Sequence, residues 1–263
     1  MDSHIRTKLN QLLTSWPRGT VASSTWLAEL KISRQHVDQY RKSRWVYSVG
    51  RGAVARTGEK VAWTGGLYAI QKQLGLRIHV GARTALNLLG HAHYLRLGSE
   101  VVFLFGSAST KLPTWFKKYE WGNRIHFVST NLFPAELQLG FLEKEQGDFT
   151  IQIATPERAI LEALYLIPQH QGFDEVQKIF DSLTTLRPDV LQTLLQRCTS
   201  IKVKRLFFYF AEKSNYSWFK KLDPSKIDLG KGKRVIVTNG KLDKKYLITV
   251  PKEDFENEQG IFP

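Results

Sequence analysis

The stretch that decides the fold is residues 24–56, STWLAELKISRQHVDQYRKSRWVYSVGRGAVAR. Near its start, apolar side chains recur with the spacing of a helix: Trp26, Leu27 and Leu30. Either Ser23 or Ser24 can cap the start of this helix. The chain then turns at Lys31 and Ile32. A short helix that ends in a tight turn is typical of the first half of a helix-turn-helix.

A second helix is predicted over residues 34–42, with Ser33 as its N-cap. Val37 and Tyr40 lie on one face of this helix because they are three residues apart. Six polar residues then face outward: Arg34, Gln35, Asp38, Gln39, Arg41 and Lys42. Arginine can pair with guanine, glutamine with adenine, and either cation can neutralise phosphate. The helix is therefore suited to the DNA major groove, and the alternative is a solvated surface helix.

A β-hairpin is predicted directly after the second helix. Residues 45–49 alternate large and small side chains, Gly50-Arg51-Gly52 turns the chain, and residues 53–56 return as the partner strand. Arg51 would lie at the tip of this hairpin, where it can touch phosphate or the minor groove. With an amphipathic helix predicted over residues 5–13, the pattern indicates a winged helix-turn-helix that binds duplex DNA.

The charge of the chain favours a polyanionic partner. The 263 residues carry a formal net charge of +14 with a pI near 9.8, and 42% hydrophobic content is sufficient for packed cores. Residues 1–60 hold eleven basic and four acidic side chains, whereas residues 141–200 hold five and nine. The start of the chain has no signal-peptide pattern and no apolar run is long enough to span a bilayer, so we expect a cytoplasmic protein without membrane contact.

The predicted fold class is α+β, with two domains: a winged helix-turn-helix over residues 1–60 and a larger mixed α/β domain over residues 61–263. Glycines near residues 58–66 favour this boundary. The second domain is predicted to contain helices at 67–74, 81–90, 156–167, 173–183, 188–197 and 202–212, and strands at 101–105, 125–129 and 150–154. Thr155 is the expected N-cap of the helix that follows it, and a hairpin of residues 234–237 with 246–250 is expected to close the chain.

Enzyme motifs are not found in the sequence. Gly106-Ser107 follows a predicted strand, as in nucleotidyltransferases, but no Asp or Glu lies between Glu100 and Glu120 to hold the metal ions of that chemistry. Glycine-basic segments lack the Walker spacing, and His91 and His93 have no third ligand nearby. We therefore predict no enzyme activity, no metal site and no cofactor.

Basic and aromatic residues alternate in two C-terminal segments, residues 204–209 and 216–221. Aromatic side chains among cations can stack on nucleic-acid bases, but in the first segment core packing is favoured, since it falls on a predicted helix. The second segment and the basic run from Lys220 to Arg234 stay open as a surface for nucleic acid or a partner.

The chain resembles the AbiEi-type antitoxins of type IV toxin–antitoxin systems. Three features carry the resemblance: Tyr40-Arg41 and Trp45-Val46 leading into Gly50-Arg51-Gly52-Ala53, and Thr155-Pro156-Glu157-Arg158-Ala159 opening a helix. The resemblance spans most of the chain, although the last seventy residues add little to it. It implies a winged helix that represses its own operon at inverted repeats in the promoter. It also implies a C-terminal domain that counteracts a cognate nucleotidyltransferase toxin, and leaves open whether the two proteins touch.

The predicted DNA-binding residues follow from the winged helix and the resemblance together. Those of the second helix and its cap are Ser33, Arg34, Gln35, His36, Gln39, Arg41 and Lys42, and those of the wing are Arg51 and Arg56. The alternative function is a non-catalytic interaction protein whose winged helix contacts a protein partner. The charge of +7 on the first sixty residues argues against that alternative.

Overall fold

The computed structural model describes residues 3–91 and 101–252. Its N-terminal part has the helix, strand, helix, helix and hairpin order of a winged helix-turn-helix. The elements are α1 (Ser3–Ser15), β1 (Ala22–Ser23), α2 (Ser24–Glu29), α3 (Arg34–Lys42), β2 (Val46–Gly50) and β3 (Ala53–Arg56). The three strands form an antiparallel sheet in the order β1-β3-β2. The predicted helix-turn-helix and wing are confirmed.

A single apolar core holds these elements together. Its buried members come from every helix and strand of the motif: Leu9, Leu12, Trp16, Ala22, Leu27, Ile32, Tyr40, Val46 and Val54. Val37 and Trp26 pack against this core as half-buried side chains. Of the apolar positions that predicted the two helices, Leu27 and Tyr40 are buried, whereas Leu30 is 39% exposed. Tyr40 and the half-buried Val37 fix the outward direction of the polar residues on α3.

A five-stranded mixed sheet follows the winged helix. Its elements are α4 (Trp63–Tyr68), continued by a π-helical turn (Ala69–Gln73), then β4 (Ile78–Val80), α5 (Ala82–Leu88), β5 (Val101–Gly106), α6 (Thr114–Lys118), β6 (Arg124–Ser129), β7 (Phe141–Glu145) and β8 (Thr150–Ala154). The strand order is β6-β5-β4-β8-β7. Strands β4 and β7 were not predicted from the sequence: β4 has three residues, and β7 is a charged edge strand.

The C-terminal part consists mainly of helices. They are α7 (Pro156–Leu166), α8 (Phe173–Ser182), α9 (Pro188–Arg197) and α10 (Ile201–Ser214), followed by the short strands β9 (Lys241–Asp243) and β10 (Ile248–Val250). All four helices match predicted positions. Phe207 and Phe208 of α10 are buried, so the first basic-aromatic segment belongs to the core as favoured.

The predicted terminal hairpin is wrong in its pairing. β10 pairs antiparallel with β9, and Arg234 makes only an isolated parallel bridge to Ile248. The chain at Ile236 and Val237 instead donates both backbone N–H groups to the Thr249 hydroxyl, at 2.8 and 3.1 Å. A side chain therefore satisfies the backbone groups that a strand partner would have used.

The chain forms two compact units. Within the described residues, the first comprises residues 3–85, 101–131 and 141–155, and the second comprises residues 86–91, 132–140 and 156–252. The winged helix and the mixed sheet lie in the first unit, and α7–α10 lie in the second. The division predicted near residue 60 stays a prediction.

Candidate nucleic-acid interface

The start of α3 is fixed by a reciprocal cap between Ser33 and His36. The Ser33 hydroxyl accepts a hydrogen bond from the His36 backbone N–H, and His36 Nδ1 accepts one from the Ser33 backbone N–H at 3.2 Å. The hydroxyl also contacts Nδ1 at 2.8 Å. Such a capping box satisfies two backbone donors that a helix otherwise leaves open. Ser33 and His36 therefore set the position at which the recognition helix begins.

The outer face of α3 is polar and exposed. Tyr40 is 1% exposed in the core and anchors the opposite face. The exposed side chains are those that the sequence placed outward: Arg34, Gln35, Asp38, Gln39, Arg41 and Lys42. Arg41 Nη1 lies 3.6 Å from Asp38 Oδ1, and both side chains are about half exposed. A pair of this kind is weak in water, so Arg41 stays available to a stronger anion.

The wing is a short hairpin whose turn is Arg51-Gly52. Arg51 is exposed at its tip, and Gly52 has a φ of +88°, which favours glycine. The Gly52 carbonyl accepts a hydrogen bond from the Ser24 backbone N–H at 2.8 Å, so the tip is tied to the start of α2. The wing arginine thus projects from a defined turn.

Helix α6 supports the other side of the wing. A Cβ atom added at Gly50 would lie 2.8 Å from Trp115 Cβ, so only glycine allows this close approach. On the same strand, burial raises the pKa of the Tyr47 hydroxyl, and a hydrogen bond to Tyr119 raises it further. The hairpin is consequently packed against the rest of its unit along β2.

Arg56 lies inside the fold and does not face the surface formed by α3 and the wing tip. Its guanidinium donates to the carbonyl oxygens of Leu13, at 2.8 Å, and Trp16. It also lies 5.2 Å from the centre of the Trp16 ring and forms an ion pair with Glu59 at 3.5 Å. The prediction that Arg56 contacts DNA is therefore replaced by a structural role, in which it ties the end of β3 to the end of α1.

A groove of about 580 Å³ separates α3 from the wing. Leu27, Ile32 and Val37 contribute its apolar lining. The charged side chains that line it come from both sides: Arg34, Asp38 and Arg41 from α3, and Arg51 from the wing. Three arginines thus surround one groove, an arrangement that suits the phosphate backbone of a nucleic acid.

Two exposed basic residues that flank α3 in the sequence were not among the predicted DNA contacts. Lys31 and Arg44 follow α2 and α3 and both have a φ of +58°, a conformation in which glycine is usual. Each is locked by a Schellman pair of hydrogen bonds, such as Trp45 N–H to Tyr40 O at 2.9 Å after α3. Both side chains are exposed. Charge alone could have suggested them, since residues 31–56 carry seven basic side chains and one acidic side chain.

Comparison with known families matches the chain in two parts. A family described as "Transcriptional regulator, AbiEi antitoxin N-terminal domain" matches residues 5–97. A second, described as "Transcriptional regulator, AbiEi antitoxin, Type IV TA system", matches residues 99–251. The chain belongs to the AbiEi antitoxin family. It is a transcriptional regulator of a type IV toxin–antitoxin system and not an enzyme, as predicted.

A solved structure supports the fold of this AbiEi chain. The RV2827C protein from Mycobacterium tuberculosis is similar with a TM-score of 0.60 and 13% sequence identity, over 94% of this chain and 92% of that chain. At this identity the similarity shows the fold alone, and the mixed α+β class is confirmed. No curated protein matches the chain significantly. No helix among residues 3–91 and 101–252 has the length and apolar character to cross a membrane.

One of the motifs that carried the AbiEi resemblance, residues 155–159, makes contacts within the fold. Glu157 is buried and accepts three hydrogen bonds from Arg187, two from the guanidinium and one from the backbone N–H, at 2.9–3.0 Å. Arg158 donates to Glu162 at 3.0 Å and to the Leu139 carbonyl at 3.0 Å. Thr155 directly precedes α7 as predicted, but its buried hydroxyl makes no capping hydrogen bond within the described part of the chain.

Proposed function

We propose that this AbiEi antitoxin represses its own operon by binding inverted repeats in the promoter through the winged helix. Helix α3 enters the major groove and the wing contacts the neighbouring phosphates or minor groove. The observation that carries the proposal is the groove between α3 and the wing, which Arg34, Arg41 and Arg51 surround. The family's description as a transcriptional regulator supports duplex DNA as the ligand.

The proposed contacts divide into those that read bases and those that hold phosphates. Arg34 and Gln35, at the exposed start of α3, read base edges, and Gln39 lies on the same exposed side. The phosphate contacts are basic side chains around them: Lys31, Arg41, Lys42, Arg44 and Arg51. Ser33 and His36 position the start of the helix, and Arg56 supports the wing from inside.

A titration with the DNA upstream of the gene, at about 50 and 200 mM salt, tests the proposal. Wild type should prefer this DNA to a random duplex, and its affinity should fall steeply with salt because bound counterions are released. The variant Arg34→Ala/Arg51→Ala should lose the preference and have a shallower salt dependence. Equal binding by the two proteins would contradict the proposal and favour a winged helix that contacts protein.

We further propose that residues 61–263 counteract a cognate nucleotidyltransferase toxin. The family's description as a type IV antitoxin supports this assignment. Cells expressing the toxin from the neighbouring gene should resume growth when the antitoxin is supplied. The Arg34→Ala/Arg51→Ala variant should rescue growth as well as wild type while failing to repress a promoter fusion. Loss of both functions in this variant would contradict the proposal that repression and toxin neutralisation reside in different parts of the chain.

A further inference from the structure

Helix α10 contains two buried cations that have carbonyl groups as hydrogen-bond partners. Lys204 and Arg205 are 5% and 2% exposed. Lys204 Nζ donates to the Asp228 carbonyl at 3.0 Å. The Arg205 guanidinium donates to four carbonyl oxygens, those of Leu229, Gly230, Gly232 and Leu247, at 2.6–3.2 Å. The two side chains therefore hold the loop of residues 228–234 by its backbone.

The backbone of this loop is fixed in one further way. Asp228 Oδ1 accepts a hydrogen bond from the Gly230 N–H at 2.7 Å, and Gly230 and Gly232 have φ angles of +62° and +75°. A backbone held at these points fixes the positions from which its outward side chains project. Those side chains are Lys231, Lys233 and Arg234, which are all exposed.

The loop is strongly positive. Within residues 3–91 and 101–252, no carboxylate forms an ion pair with Lys231, Lys233 or Arg234. The carbonyl groups satisfy the hydrogen bonds of Arg205 but do not neutralise its positive charge. Burial lowers the pKa of Arg205, the nearby Arg234 lowers it further, and Asp228 raises it. Buried cations are usually matched by carboxylates, so this concentration of charge favours an anion from outside the chain.

The composition of the surrounding segment favours phosphate over a protein surface. Residues 201–252 contain fourteen basic and four acidic side chains, and twelve of the fourteen are lysines. Lysine is depleted at protein–protein interfaces, where arginine is preferred, but it neutralises nucleic-acid phosphates as a point charge. We propose that the loop of residues 228–234 is a second, sequence-independent contact for the phosphate backbone of duplex DNA. The choice of DNA as the polyanion rests on the proposed function.

Fluorescence anisotropy with the full chain and a labelled random-sequence duplex tests the loop. The variant Lys231→Gln/Lys233→Gln/Arg234→Gln removes three exposed charges and should keep the wild-type melting temperature. Its plot of log affinity against log salt should be shallower by about 2–3, since each lost phosphate contact contributes about 0.9. Its affinity at low salt should fall at least about tenfold. The matched control is Lys220→Gln/Lys221→Gln/Lys241→Gln, which removes three exposed charges outside the loop and should change the slope by less than about 1.

Three results would overturn the loop contact: an unchanged slope in the loop variant, an equal change in the control, or loss of toxin neutralisation with unchanged DNA binding. The last result would identify a protein surface. The upstream DNA separates this inference from the proposed function. If wild type binds it no better than a random duplex, the proposed operator recognition fails. The binding of the loop variant to the random duplex would still test the loop contact independently.

Discussion

Helix α3 and helix α7 both carry many charges, but the charges of α3 are exposed and those of α7 are buried. On α7, Glu157, Arg158 and Glu162 are buried, and each is matched by a charged partner. On α3, the cations are exposed, and Asp38 is the sole carboxylate on that helix. Buried charges need partners because desolvation is costly, whereas exposed cations keep their hydration until an anion arrives. The comparison supports a structural role for the charges of α7 and the binding role proposed for α3.

The variant Glu162→Leu should have the largest effect, and only on stability. Burial lowers the pKa of Arg158, and the Glu162 carboxylate raises it. Without Glu162, the Arg158 guanidinium stays buried with no carboxylate to stabilise its charge. We expect a loss of about 3–5 kcal/mol in the free energy of unfolding, measured by urea denaturation. DNA affinity per folded molecule should not change.

The matched control removes both charges. Arg158→Met/Glu162→Leu should be more stable than Glu162→Leu alone, because apolar side chains of similar volume can replace a buried pair. If Glu162→Leu lowers the free energy of unfolding by less than about 1 kcal/mol, an unpaired Arg158 is not costly to bury and the prediction is wrong.

Arg56→Met should give the next largest effect, and it also falls on stability. Methionine keeps the apolar contact with Trp16. The carbonyl groups of Leu13 and Trp16 lose their hydrogen-bond donor, and Glu59 loses its ion-pair partner. We expect about 2 kcal/mol of destabilisation in thermal or urea unfolding. The salt dependence of DNA binding, measured where the variant is folded, should match that of wild type.

Arg51→Gln is the counterpart at the wing tip. The exposed Arg51 has no hydrogen-bond or ion-pair partner among the described residues. Unfolding should therefore be unchanged, while the salt slope should fall by about 0.9 for one lost phosphate contact. A reversal of the two phenotypes would restore Arg56 to the interface and remove Arg51 from it.

These two arginines show what the sequence could and could not supply. Periodicity placed α3 and the wing correctly, because their apolar residues pack locally. The pattern could not assign different roles to Arg51 in the turn and Arg56 at the end of β3, since both are arginines of one predicted hairpin. The partners of Arg56 are the carbonyls at the end of α1, more than 35 residues earlier in the chain. Non-local contacts of this kind have no sequence spacing to detect.

The same reason explains the errors in the rest of the chain. Helices α7–α10 were found because helical hydrogen bonds are local. The terminal hairpin was mispaired because Thr249 and Arg205 hold residues 229–237 from outside the segment. Strand β4 has three residues and becomes central only through its partners β5 and β8. Elements defined by partners far along the chain therefore escaped prediction.

Asp38→Asn sharpens the comparison within α3 itself. The carboxylate lies among the proposed DNA contacts, so it repels phosphate and can accept a hydrogen bond from the cytosine amino group. Its removal should raise the affinity for a random duplex about threefold, by releasing Arg41 and removing the repulsion. The preference for upstream DNA over random DNA should fall. Unfolding should change little, because the exposed Asp38–Arg41 pair is weak. An unchanged preference would show that Asp38 contacts no base.

The smallest effect is expected from Arg44→Gly, and here stability and binding should move in opposite directions. Arg44 has a left-handed φ of +58°, which costs a side chain more than it costs glycine. Glycine also gains freedom in the unfolded chain, so the net gain should be about 0.5 kcal/mol in the free energy of unfolding. The salt slope should still fall by about 0.9, because a phosphate contact is lost. Arg44→Asn, which tolerates this conformation, should lose the same contact without the entropic change. A glycine variant that gains stability and binds DNA like wild type would show that the position is strained without serving the interface.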